Sequence, residues 1–119
     1  MNDKNYLFLS HIRDSCVHII GFTENIDFET FIKTRMIQSA VIRELEIIGE
    51  ATKNLADNIR KTFKTIPWVK IAGMRDKLSH GYFTVDLKEV WNTAKKDIST
   101  LKIDVEKILS KKDPDENKD

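Results

Sequence analysis

The sequence predicts an all-α fold, and three observations support that prediction. Apolar residues recur at steps of three and four along most of the chain, which places them on one side of a helix. No stretch shows a convincing strand pattern of alternating apolar and polar residues. With 4 glycines and 2 prolines among 119 residues, the chain also lacks the frequent tight turns of an all-β fold. A chain of this length forms one domain around a single core.

The first helix is predicted from about residue 4 to residue 20. Gly21 is expected to end it, because glycine readily adopts the left-handed backbone conformation that follows many helices. The apolar stripe of this helix consists of Tyr6, Leu9, Ile12, Cys16 and Ile19.

A second helical region is predicted to begin after Asp27, a residue type that caps helices by accepting backbone N–H groups. We expect an interruption near residues 33–35, and a short amphipathic segment at residues 58–63. The main stripe of this region is Ile37, Val41, Leu45, Ile48 and Leu55, and the opposite face carries Arg43, Glu46, Glu50 and Lys53.

Two further helices complete the predicted bundle of four to five. Pro67 suits the first turn of a helix that runs through Arg75 and frays at residues 79–81. Asp86 with Glu89 forms a capping pattern for the last helix. The regular stripe of that helix fits either a long bundle helix or one packed against a second chain. Its apolar positions are Leu87, Trp91, Ala94, Ile98, Leu101, Val105 and Ile108.

Composition limits the domain organisation and the location. Residues 1–110 are predicted to form the helical domain, and residues 111–119, which include no apolar side chain, a disordered tail. The formal net charge is +1, so RNA binding would depend on local clusters of charge. The single cysteine, Cys16, excludes an internal disulfide and fits a reducing compartment. No apolar run approaches membrane-spanning length, and we expect a cytoplasmic protein with no membrane partner.

The residues with the clearest chemical potential are Arg75 and His80. On a continuous helix they would lie about 140° apart, so they converge only if the helix ends near Ser79 or if a second copy supplies one of them. Histidine transfers protons near neutral pH, and arginine binds phosphate oxygens with a planar fork of donors. Together they suffice for transesterification of an RNA phosphodiester without a metal, with Asp76 and Ser79 in supporting positions.

Each polar or aromatic residue considered for a function also has a purely structural interpretation. By spacing alone, Arg75 and His80 are more often a surface salt bridge and a capping residue. Glu46 and Glu50 are interpreted as a salt-bridged surface face from which a carboxylate contacts Arg75. His11 and His18 are interpreted as surface or packing residues, because a zinc site needs more ligands than the two of them. Trp68 and Trp91 are interpreted as core or interface anchors. The basic pairs are equally explained as solvated surface or as contacts to RNA phosphates: Arg60 with Lys61, and Lys95 with Lys96.

Four longer segments of the sequence favour the functional interpretation of Arg75 and His80 over the structural one. Residues 44–51 (ELEIIGEA), 66–68 (IPW), 71–83 (IAGMRDKLSHGYF) and 85–87 (VDL) closely resemble the HepT-like branch of the HEPN superfamily. The resemblance extends in the family's order from the first helix to about Leu109. The family motif is Arg, four residues, His, one residue and Tyr, and it is matched in full by Arg75, His80 and Tyr82.

This resemblance implies a dimeric helical bundle in which two copies of the motif line one cleft. It also implies a ribonuclease toxin that needs no metal or cofactor and is paired with a minimal nucleotidyltransferase antitoxin. That antitoxin would transfer AMP to Tyr82, placing negative charge and bulk beside Arg75 and His80. One position departs from the pattern: the residue after the arginine is often asparagine in the family and here is Asp76. A carboxylate there could pair with Arg75 or favour protonated His80.

A second function class remains open from the sequence. The chain could be a non-catalytic helical module that binds the nucleotidyltransferase and is modified by it, presenting nucleotide or RNA. The presence of both Arg75 and His80 argues against this alternative, whereas Asp76 and the near-neutral charge are compatible with it.

Overall fold

The structure is a computed structural model that describes residues 2–79 and 86–111. Within those ranges the regular elements are helical and none is a strand, which confirms the all-α prediction. The elements in chain order are α1 (Asp3–Thr23), α2 (Phe28–Lys33), α3 (Arg35–Lys53), α4 (Asp57–Thr62), α5 (Trp68–Ser79), α6 (Leu87–Asn92), a π turn (Thr93–Asp97) and α7 (Ile98–Ser110).

The core lies where α1 packs against both α3 and α7. Most of the predicted apolar stripes point into it, because residues three and four apart share one face of a helix. These contacts join sequence-distant helices into one bundle. The fully buried positions include Leu9, Ile12, Cys16 and Ile19 of α1, Val41 and Ile48 of α3, and Val105 of α7.

The predicted stripe of α1 is wrong at its first position. Tyr6 is 41% exposed, and the neighbouring Asn5 is buried instead. The Asn5 side-chain oxygen accepts a hydrogen bond from the backbone N–H of Ala56 at 3.0 Å. A buried amide is tolerated where its polar atoms find partners, so this long-range bond selects which residue faces inward.

The predicted end of α1 at Gly21 is also wrong, since the helix continues to Thr23. The Thr23 hydroxyl donates to the carbonyl of Ile19 at 2.9 Å within the last turn. The positive φ that sequence reasoning assigned to the glycine occurs at Asn25, with φ of 63°. Asparagine tolerates this conformation better than most non-glycine residues.

The break between α2 and α3 matches the predicted interruption. Asp27 caps α2 by accepting the Thr30 N–H at 2.8 Å, and this hydrogen bond lowers the pKa of the Asp27 carboxyl. Thr34 then adopts an extended conformation and α3 starts at Arg35. Phe31, the buried residue of α2, packs against the Trp91 ring at a centroid distance of 5.1 Å.

The last predicted helix is present, but it contains a π turn. Asp86 caps α6 by accepting from the N–H groups of Lys88 and Glu89, as predicted. The run continues through the π turn into α7, which packs on α1. In the π turn, Lys95 lies over the Trp91 ring and its Nζ donates to the Thr23 carbonyl at 3.1 Å.

Of the predicted disordered tail at residues 111–119, all but Lys111 lies outside the described residues, so the tail and the domain boundary stay predictions. Among the described helices, none combines the length and the apolar character needed to cross a membrane.

Candidate active site

Helix α5 carries the arginine of the motif, and its first turn is firmly anchored. The Trp68 indole N–H donates to the carbonyl of Phe63 at 3.0 Å, and the ring is buried. The Ile71 N–H bonds to the Pro67 carbonyl at 3.0 Å. The proline directly precedes α5, one position before the first turn in which it was predicted. Trp68 is therefore a core anchor.

Arg75 lies where α5 crosses α3 at short distance. A methyl group at Gly49 would lie 2.7 Å from the Arg75 Cβ and 3.1 Å from its backbone nitrogen. Heavy atoms do not approach so closely without repulsion, so the two backbones meet at this point only because residue 49 has no side chain. The glycine thereby brings the arginine against the α3 surface.

The residue after this glycine holds the arginine side chain. Arg75 Nε donates to Glu50 Oε2 at 2.6 Å, which confirms the predicted contact from an α3 carboxylate. The side chains are 41% and 53% exposed respectively, so the pair is accessible from solvent. An arginine in this setting has a defined direction and can still meet an incoming phosphate.

Asp76, the departure from the family pattern, forms an ion pair with α3. Its Oδ1 accepts from Lys53 Nζ at 2.7 Å. A second exposed pair joins Lys77 of α5 to Glu89 of α6 at 3.1 Å. Three successive residues of α5 thus bind charges from two other helices. The α3 face that was predicted to be salt-bridged forms two of these pairs with α5.

The other motif residues lie at or beyond the edge of the described structure. Ser79 is the last described residue of α5. The predicted fraying at residues 79–81 lies mostly outside the described residues and stays a prediction. His80 and Tyr82 fall outside the described residues, so the predicted convergence of Arg75 with His80 stays a prediction.

A cavity of about 290 Å³ lies on another side of α5, between α3 and α6. It is mostly apolar, with Lys77, Asp86 and Glu89 among its lining residues. Sequence reasoning did not find it, because it depends on how three separate helices meet. The apolar part of its lining consists of Leu45, Met74, Leu78 and Val90.

Sequence reasoning also missed Gly49 and Lys53 as parts of the site. A signal for the first was available: a glycine within a strong helical pattern weakens the helix and often indicates a close approach of another backbone. No comparable signal distinguishes Lys53 from the other surface lysines.

Two of the other candidates, His18 and Arg60, form structural contacts. His18 Nδ1 lies 2.6 Å from Glu44 Oε1, and the Ser15 hydroxyl donates weakly to the other oxygen of that carboxylate at 3.4 Å. These bonds tie α1 to α3, which supports the prediction that His18 is a surface or packing residue. Arg60 pairs with Asp57 at 2.6 Å within α4.

Comparisons with known proteins relate this chain to a family of ribonucleases. A family model described as ribonuclease HepT-like matches residues 12–108. The chain is 47% identical to a candidate RNase of Methanocaldococcus jannaschii, over 86% of this chain and 84% of that protein. It is 46% identical to a probable ribonuclease HepT of Thermococcus cleftensis, over 85% and 92% respectively. A candidate RNase of Caldanaerobacter subterraneus is 44% identical over 87% and 93%. No solved structure gave a significant match.

Proposed function

This chain belongs to the HepT-like ribonuclease family and is a ribonuclease of the HEPN type, and from that premise we propose that it is a metal-independent endoribonuclease toxin. Arg75 and His80 are the proposed catalytic residues, and Asp76 and Ser79 support them. The observation that carries the proposal is the accessible arginine that Gly49 and Glu50 hold in a defined place.

The proposed reaction is an internal transesterification. The 2′-hydroxyl of a nucleotide loses its proton and attacks the adjacent phosphorus, while the bond from phosphorus to the 5′-oxygen breaks. The products are a 2′,3′-cyclic phosphate and a 5′-hydroxyl end. Arg75 donates to the non-bridging oxygens, on which negative charge increases in the transition state. His80 transfers the protons.

The proposed active unit is a homodimer in which both copies of the motif line one cleft. Two features of α5 support an interface there. Val69 is 86% exposed, and a methyl group added at Gly73 would meet no other atom within 4 Å. Val69 and Gly73 are four residues apart and share one face of the helix with Asp76. A small, accessible face next to the motif suits the approach of a second copy.

The proposed partner is a minimal nucleotidyltransferase antitoxin. The Tyr82 oxygen would attack the α-phosphorus of ATP, forming a phosphodiester to AMP and releasing pyrophosphate. The added phosphate would compete with RNA for Arg75, which would switch the ribonuclease off. Support for this step comes from the family motif that includes Tyr82.

The test is cleavage of total RNA by purified wild type and His80→Ala in EDTA, with analysis of the fragment ends. Mass spectrometry first establishes that Tyr82 is unmodified. We expect wild type to leave 2′,3′-cyclic phosphate ends and His80→Ala to be slower by about 10²–10⁴-fold, the usual contribution of a proton-transfer group. Arg75→Ala should lose about 10²–10³-fold through the missing charge stabilisation.

His11→Ala is the matched control, because it removes an exposed histidine of α1 far from the motif in sequence. It should cleave at the wild-type rate. Inactivity of unmodified wild type would favour the non-catalytic module that the nucleotidyltransferase modifies. Undiminished cleavage by folded His80→Ala would exclude the proposed role of that residue.

A further inference from the structure

We infer that Gly49 is a positioning residue for the proposed ribonuclease reaction, because it sets where Arg75 stands against α3. This inference rests on the proposed function, since it assumes that Arg75 acts on the substrate. It concerns a residue that bears no functional group and lies outside the motif.

The first argument is the identity of the atoms that Gly49 faces. A methyl carbon added at position 49 would have as its three nearest atoms the Cβ, the backbone nitrogen and the Cα of Arg75, at 2.7, 3.1 and 3.4 Å. None of them belongs to the flexible end of the arginine. A rotamer change therefore cannot relieve the overlap, and α5 itself would have to move away from α3.

The second argument is that two adjacent residues of α3 fix both parts of the arginine. Gly49 determines the position of its backbone, and Glu50 accepts from its Nε at 2.6 Å. A shift of α5 at this crossing moves the guanidinium relative to the carboxylate that orients it. Displacements of about 1 Å at a substrate-positioning group can reduce a catalysed rate by about 10²-fold.

The third argument is a contrast among the glycines of the described ranges. At Gly21 in α1 and at Gly73 in α5, an added methyl group would meet no atom within 4 Å. Glycine also weakens a helix interior relative to alanine. Gly49 is buried, and only at this one of the three described positions does the close approach of another helix account for the absence of a side chain.

The experiment compares Gly49→Ala with Gly21→Ala as the matched control. Three quantities are measured: kcat and KM for RNA cleavage, the melting temperature, and the ¹⁵N–¹H resonance of the Arg75 Nε–H. That resonance is identified by its absence from Arg75→Lys. The resonance separates the two possible roles, because a purely structural defect lowers the melting temperature without changing the Arg75 environment.

We expect Gly49→Ala to lower kcat by about 10- to 100-fold and to shift the Nε resonance. Its melting temperature should fall by about 4–12 °C, since the extra carbon overpacks the crossing. Gly21→Ala should stay within about twofold of wild type in kcat, and its Nε resonance should not move. If Gly49→Ala is unfolded at 25 °C, the same measurements are made at 10 °C in sucrose, which favours the folded state.

The inference would be overturned if folded Gly49→Ala had the wild-type kcat and an unchanged Nε resonance. It would also be overturned if the variant failed to fold even in sucrose, because the glycine would then have a purely structural role. Undiminished cleavage by Arg75→Ala would instead contradict the proposed function, and this inference with it. The two failures are distinguishable, because the first leaves Arg75→Ala impaired.

Discussion

Two faces of helix α3 contact different helices and have different roles. One face carries Val41, Glu44 and Ile48 toward α1, where apolar side chains are fully buried and Glu44 bonds to His18 and Ser15. The other carries Gly49, Glu50 and Lys53 toward α5, where Gly49 makes a close backbone approach and the two charged residues form exposed ion pairs. The first face stabilises the bundle, and the second places a reactive side chain.

The difference lies in how much each contact contributes to folding. Burial of apolar surface is the main stabilising term in proteins, whereas exposed ion pairs contribute little. Helix α5 packs mainly against α3, while α1 packs against both α3 and α7. Side-chain truncations on the two faces should therefore differ. Truncations at the buried apolar positions of the first face should change mainly stability, and truncations of the ion-paired residues on the second face should change mainly activity. Gly49→Ala adds an atom instead of removing one and is expected to change both. Three predictions test that separation, beginning with the largest effect.

Ile48→Ala should lower the free energy of unfolding by about 2–5 kcal/mol, because it leaves a cavity at a fully buried position. Cleavage per folded molecule should not change. Urea denaturation followed by circular dichroism, together with a cleavage assay, measures both. The matched control is Ile103→Ala, which removes the same atoms from a residue that is 53% exposed and should stay within about 0.5 kcal/mol of wild type. A loss of specific activity in Ile48→Ala would mean that the two faces are not separable.

Glu50→Ala should lower activity with little change in stability, the reverse of the effect expected for Ile48→Ala. Without the carboxylate, Arg75 loses the acceptor that orients its Nε, and we expect kcat to fall about 10-fold, in the lower range for positioning groups. The free energy of unfolding should change by less than about 1 kcal/mol, since the pair is exposed. Glu50→Gln keeps an oxygen that can accept the same hydrogen bond and should retain most of the activity. Equal losses in both variants would show that the negative charge, and not the hydrogen bond, matters.

The smallest effect concerns the α1 side of the core. Burial raises the pKa of the Cys16 thiol from its ordinary value of 9.0 to about 12. The folded state therefore holds this proton at pH values where the unfolded state has released it. That contribution to stability is complete below pH 9 and is lost as the pH rises toward 12, by about 1 kcal/mol between pH 9 and 10.

Urea denaturation of wild type and Cys16→Ala across this pH range measures the contribution. The wild-type free energy of unfolding should fall more steeply with pH than that of the variant, and the comparison of slopes removes the effects of other titrating groups. Parallel pH profiles would show that the thiol does not couple to folding. Cleavage by the variant should match wild type at neutral pH.

Much of the bundle could be predicted from the sequence, because its determinants are local. The stripe through Val41, Leu45 and Ile48 is buried as its spacing predicted, and Asp27 and Asp86 cap helices as their positions predicted. The contact between Arg75 and an α3 carboxylate was also predicted, because Glu50 lies on the charged face of α3, although the two residues are distant in sequence. For the apolar stripe and the two caps, residues close in sequence carry the information.

The wrong and missing predictions concern contacts between residues that are distant in sequence. Tyr6 is exposed because Asn5 bonds to Ala56, a residue 51 positions away. Gly21 and Gly49 both lie inside helices of the structure, yet of these two only Gly49 meets another helix. Such features depend on which surfaces meet in the folded chain, and spacing along one helix does not encode them.

The π turn at residues 93–97 bears on how the length of this chain can vary. A π turn accommodates one more residue than the α-helical turn it replaces. Loss of one residue there, such as the exposed Lys96, can be absorbed by a return to ordinary α-helix, with Trp91 still against Phe31 and Val105 still in the core. A single deletion in the middle of α1 would instead rotate all later positions of that helix by about 100°. Deletion of a single residue in the last helix should therefore be tolerated best at this turn.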